Sequence, residues 1–233
     1  MDEFLKDNYD LITSLIEFVA AITGVLLYKK YKNTPVKYII YFLVYTFFVD
    51  LIGGYPNFLK KIGYFHLIED TLIEKNYWWY TIFWWIGLSA IMFYVNSRII
   101  KTNRLKKILQ YGFYLYLFQV VLFIAFRFKS LFSYERFISI ASLWIIMLCI
   151  VIYFFETLRS DKIILFYKSV YFYFNTLFFV WVLIIIPMNF FEVYNVTDDW
   201  NYVLFKWKIY LTLNTFLYLS LSAALIFCKP END

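Results

Sequence analysis

The sequence predicts an all-α, polytopic membrane protein with seven transmembrane helices. Three observations carry this. The 233 residues are 63% hydrophobic and 25% aromatic, with a mean hydropathy of +0.63. Charged residues make up 17% of the chain, below the quarter or so usual in a soluble domain, and they gather between apolar blocks. One stretch, Asn76 to Lys107, shows a complete span. It opens on Tyr77-Trp78-Trp79-Tyr80, stays apolar to Val95 and closes on Asn96, Arg98, Lys101, Arg104, Lys106 and Lys107. Aromatic belts mark membrane–water interfaces, and Lys and Arg collect on the cytoplasmic side. A helix from Tyr77 to Val95 rises roughly 28 Å, close to the thickness of the hydrocarbon core.

Seven apolar blocks follow in order: Leu11–Tyr28, Tyr38–Tyr55, Tyr77–Val95, Ile108–Phe126, Phe137–Phe155, Ile163–Phe190 and Leu204–Cys228. Residues 1–233 thus read as a single seven-helix transmembrane domain. The acidic N-terminus lacks the basic region of a signal peptide, so the first block is expected to be an uncleaved helix. Alternating the connections puts Asp2, Glu3, Asp7, Asp10, Glu69, Asp70, Glu74, Glu192, Asp198 and Asp199 on one side. The basic connections, with Lys29, Lys30, Lys32 and Lys37 and with Arg98 to Lys107, fall on the other. The positive-inside rule then places the N-terminus outside and the C-terminus inside, in a cell inner membrane. Basic clusters confined to connections are topology signals, and nucleic acid is not an expected partner.

Smaller features refine the layout. Between Lys60 and Asn76, Phe65, Ile68 and Leu72 recur at helical spacing and predict a short helix on the interface. Asn195-Val196-Thr197 matches a glycosylation acceptor, but Thr197, Asp198 and Asp199 also suit the cap of the seventh helix. Pro56 and Pro187, near the outer ends of segments two and six, suggest a three-one-three parallel repeat, against which all six glycines lie at or before Gly112.

Polar side chains inside a membrane normally turn toward the bundle interior. Segment one carries Thr13, Glu17, Ala20, Ala21 and Gly24 on one face, and segment two Thr46, Asp50, Gly53, Gly54 and Asn57. Segment four offers Gly112, Tyr116 and Gln119; segment five Ser139, Ser142, Cys149, Tyr153 and Glu156; segment six Lys168, Tyr171 and Asn175; segment seven Lys206, Tyr210, Asn214, Tyr218 and Ser222. Such faces pack helices and hydrogen-bond between them. Glu17 and Asp50 ask for more. In the alternating layout each lies roughly 8–9 Å below the outer edge at 1.5 Å per residue. Carboxylates there share a proton, pair with a cation or line a wet cavity. Lys206 and Lys208 are candidate partners, and Glu17, Asp50, Lys206, Tyr210 and Asn214 form the candidate ligand- or ion-binding set. Glu156 and Lys168 are expected to make an ion pair near the inner side.

No H-E-x-x-H, phosphate loop or G-x-S-x-G occurs, so no catalytic residue is assigned and an enzyme is not expected. Two cysteines and one histidine, His66, supply no metal-site spacing, and no metal or cofactor is expected. At Tyr31–Pro56, YKNTPVKYIIYFLVYTFFVDLIGGYP, the chain resembles uncharacterised seven-helix membrane proteins of Bacteroidota. That resemblance implies the layout and brings no activity or functional residue. The expected function is a sensor or ligand-binding membrane subunit acting through a protein partner or a homo-oligomer, with membrane lipid around it. The alternative is a small transporter, ion channel or pore-forming effector.

Overall fold

The computed structural model describes residues 2–133, 136–159, 166–191 and 200–230. Among them there is no strand, and seven helical runs are long and apolar enough to cross a membrane. The first is Asn8–Tyr31, within α1 (Asp2–Tyr31), and the second is α2 (Val36–Gly53). After the short α3 (Tyr55–Lys61), the third run, Tyr77–Ile99, joins α4 (Tyr77–Trp79), a π-helical stretch (Tyr80–Ile86) and α5 (Gly87–Ile99). Then come α6 (Asn103–Phe126), α7 (Phe137–Leu158), α8 (Val170–Phe191) and α9 (Trp200–Phe227). These spans fall within a few residues of the apolar blocks, because the length of an apolar run is the signal a bilayer reads. The sixth differs: α8 opens at Val170, and Lys168 sits ahead of it in a short 3-10 turn at 166–168. Residues 160–165, the acceptor at 195–197 and the capping residues 197–199 lie outside the described residues.

The spans carry large apolar side chains on their outer surfaces. Leu26, Phe118, Trp144 and Phe126 are 76%, 60%, 67% and 84% exposed. In water such a surface drives association; against acyl chains it is the natural outer wall. The seven spans and this apolar exterior make the chain a multi-pass membrane protein.

The connection from Lys60 to Asn76 departs from the helix its spacing predicts. Only Phe65–Leu67 forms a 3-10 turn. Gly63 at φ +78 and Asp70 at φ +58 stand in the left-handed region, which ends any right-handed helix between them. Ile68 turns inward at 7% exposure while Leu72 is 58% exposed, so the two share no face.

The chain forms two compact units, Met1–Phe47 with Tyr153–Asp233, and Phe48–Ile152. The first three spans therefore do not make one unit, and the division does not follow a three-one-three repeat. In the first unit α1 runs parallel to α9. Tyr9 stacks on Trp207 at 5.0 Å near the start of both helices. At their ends the Tyr31 hydroxyl shares its proton between Leu225 O (2.9 Å) and Cys228 O (2.8 Å). Lys30 Nζ donates to Leu225 O and Ile226 O, each at 3.0 Å. Those carbonyls are among the orphans every helix leaves at its C-terminus, where a cation is also favoured. α2 returns antiparallel to α1, with Phe18 against Phe47 at 5.4 Å and Gly24 against Ile40. Phe42 meets Phe174 and Phe178 of α8 edge-on at 5.9 and 5.4 Å.

In the second unit, Phe93 of α5 stacks on Phe113 of α6 at 4.0 Å. Tyr116 of α6 and Ser142 of α7 join their hydroxyls at 2.8 Å inside the core. The end of α2 is held from the third span: Asn76 Nδ2 donates to Gly53 O (2.7 Å) and Trp79 Nε1 to Val49 O (2.8 Å).

Candidate functional site

The site is best built from α1, α8 and α9, which belong to the same unit. On α1 the small residues Ala20, Ala21 and Gly24 are buried, and they let a neighbouring helix come close. One turn before them on the same face, Glu17 is 1% exposed, and both carboxylate oxygens are shielded from solvent. The α1–α9 pairing sets its level. Tyr9 meets Trp207 and Tyr31 meets Leu225 and Cys228, so Glu17, eight residues past Tyr9, stands level with the turn of α9 from Leu211 to Thr215, which holds Asn214. Asn214 Oδ1 accepts a hydrogen bond from the indole Nε1 of Trp181 on α8 at 3.2 Å. A carboxyl, an amide and an indole thus occupy one layer of a membrane-embedded bundle.

Above that layer on α9, Lys206 Nζ lies 5.7 Å from the centre of the Tyr210 ring, and both side chains are half-buried. Below it Tyr218 is 1% exposed and Ser222 Oγ donates to Tyr218 O at 2.8 Å. Lys206, Tyr210, Asn214, Tyr218 and Ser222 follow the four-residue spacing of one helical stripe.

The remaining predicted residues divide between the units. Asp50 is half-buried near the end of α2 and belongs to the second unit, while Glu17 belongs to the first. Glu156 is half-buried in the last turn of α7. Lys168 is exposed, with Nζ 5.5 Å from the Tyr167 ring centre. Ser139, Ser142, Cys149 and Tyr153 all face inward on α7. Gly112 and Tyr116 do so on α6, but Gln119 is exposed.

Three buried asparagines make local bonds. Asn96, Asn175 and Asn189 each turn the amide Nδ2 back to the carbonyl four residues earlier, at 3.0, 3.0 and 3.1 Å. That local bond satisfies the donor without a second helix. Among the described residues no three His, Cys, Asp or Glu side chains gather where they could hold a metal.

Sequence reasoning missed Trp181, because a Trp inside an apolar run carries no polar signal until its N–H finds an acceptor. It also read Lys30 as topology alone, whereas its ammonium caps α9. Set against protein families, curated proteins and solved structures, the chain matches none.

Proposed function

We propose that this chain is a membrane-embedded binding subunit of the inner membrane. It takes up a proton or a small cation at Glu17 and acts through a partner rather than by catalysis. The observation that carries this reading is the carboxyl itself. Glu17 lies within a membrane-crossing helix, is 1% exposed and stands level with Asn214. An ionisable group at that depth is costly and is a functional site by default. Asn214 and the half-buried Lys206 and Tyr210 on the same stripe give the layer further polar atoms.

The test is thermal melting of the purified full chain in detergent, across pH and in sodium, potassium, calcium or N-methylglucamine. The expected result is a melting temperature that depends on pH or on cation identity in the wild type. That dependence is lost in Glu17→Gln and kept in Glu17→Asp, with helix content unchanged in both. Wild-type melting indifferent to pH and cation would reject the reading, as would the same dependence in Glu17→Gln. If Glu17 only packs, Glu17→Gln is tolerated or stabilising, since a buried charge is removed. Cation uptake into sealed vesicles would make the chain a transporter instead.

A further inference from the structure

We propose that the outward groove between α1 and α2 holds one anionic glycerophospholipid, with an acyl chain along its walls and the phosphate at its tyrosine-lined end. The groove encloses about 630 Å³ and is lined by Val25, Tyr28, Ile40, Tyr41, Val44 and Tyr45. That volume lies within the range of small-ligand sites. It lies wholly within the first unit, on a face where Val25 is 58% and Tyr41 49% exposed. Val25, Ile40 and Val44 offer an acyl chain nothing but hydrocarbon.

The polar end is built differently. Tyr28 and Tyr41 face each other across the groove, rings 6.0 Å apart and hydroxyls 3.0 Å apart. Two hydroxyls in one mutual bond use one of their two protons, so the other is available to a phosphate oxygen. Basic residues lie close to that end in sequence. Lys37 precedes Tyr41 by one helical turn on α2, and Lys32 follows Tyr28 by four residues, in the turn just after α1 ends. Lys37 Nζ lies 5.3 Å from the Tyr38 ring centre, and Tyr38 stands edge-on to Tyr41 at 6.0 Å. Lys29 and Lys32 are exposed at that end. An apolar trough closed by two hydroxyls and flanked by lysines matches a lipid in shape and in charge, and it distinguishes an anionic headgroup from a zwitterionic one.

The experiment is native mass spectrometry of the full chain in detergent micelles, titrated with dioleoyl phosphatidylglycerol or dioleoyl phosphatidylcholine. The expected result is one phosphatidylglycerol bound in clear preference to phosphatidylcholine. Lys32→Gln and Lys37→Gln each cut the preference about fivefold, the weight of one cation near an anionic headgroup. Tyr28→Phe with Tyr41→Phe weakens binding of both lipids, and Lys106→Gln with Lys107→Gln, in the first turn of α6, changes nothing. Equal binding of the two lipids by the wild type would overturn the proposal. So would a preference that survives both lysine changes, or one lost equally in the Lys106/Lys107 control. A dimer that forms without lipid and is broken by the tyrosine changes would assign the groove to a second copy. Competition by inorganic phosphate as effective as the lipid would assign the polar end to a free anion.

Discussion

Gly53 and Gly54 are neighbours in sequence and opposites in packing. A Cβ on Gly53 would stand 2.9 Å from the Tyr80 ring and 3.0 Å from the Trp79 indole, both rigid groups. A Cβ on Gly54 would meet only two carbonyl oxygens at 3.6 Å, ordinary contact. Gly54 has φ −72, which any residue adopts. Gly53→Ala is therefore expected to destabilise by about 1–3 kcal/mol, the cost of overpacking. Gly54→Ala should be neutral or stabilise by up to about 1 kcal/mol through the unfolded chain. Melting temperatures of the two variants check this, and a reversed order would refute it. The sequence shows a Gly-Gly pair on a polar stripe and cannot show which glycine faces the next span's aromatics. The same limit explains Gln119: helical spacing puts it on the stripe of Gly112 and Tyr116, but where a face ends depends on how wide the neighbouring helix is. Glu17 was legible because a carboxylate in an apolar run has few places to go. Its level with Asn214 was not, since contacts far apart in sequence, Tyr9 on Trp207 and Tyr31 on the end of α9, set the register of α1 against α9.

Helix ends are closed by side chains from elsewhere in the chain, and this happens in each unit. Asn76 and Trp79 reach the last carbonyls of α2, and Lys30 and Tyr31 reach those of α9. The donors are 23 to 30 residues away in the first case and 194 to 197 in the second. Tyr31 is fully buried, so Tyr31→Phe takes the side-chain donor from Cys228 O and leaves Leu225 O to Lys30 alone, and is expected to cost about 1–3 kcal/mol. Tyr28→Phe, which breaks an exposed bond, should stay within about 0.5 kcal/mol in lipid-free detergent. Asn76→Ala should behave like Tyr31→Phe and leave Gly53 O without its side-chain donor. Thermal melts of the three variants rank them, and equal stability of Tyr31→Phe and Tyr28→Phe would show that the cap contributes nothing. The third span adds a local irregularity, where the Gly87 N–H reaches back to Ile82 O, five residues, and the helix widens to π geometry. Trp79 and Phe83 hold their rings 4.2 Å apart at its start. Hydropathy reads such a span as uniform, because a change from i+4 to i+5 bonding alters no residue type.

At the scale of the whole molecule, seven spans were legible and the grouping of spans was not. Length and apolarity decide whether a segment crosses, and both are local properties. Which helices pack together depends on side-chain shape across long sequence separations, such as Phe42 against Phe174 and Phe178. The charge pattern predicts an orientation, with Lys29 to Lys37 and Arg98 to Lys107 expected on the inner side. Reporter fusions after Asn33, after Lys101 and at the C-terminus are expected to read cytoplasmic, and one after Glu69 external. A cytoplasmic Glu69 would invert the arrangement.

The long reach of Tyr31 has a consequence for how the protein is born. α1 is the first of the described helices to leave the ribosome and α9 the last, yet they lie side by side. At about 5–20 residues per second, roughly 200 residues of synthesis keep α1 waiting on the order of 10–40 s for its neighbour. Through that interval its Glu17 carboxyl sits in the bilayer without the helix that later stands beside it. A nascent α1 thus depends on the insertion machinery, on lipid or on the partly made chain to shelter that group.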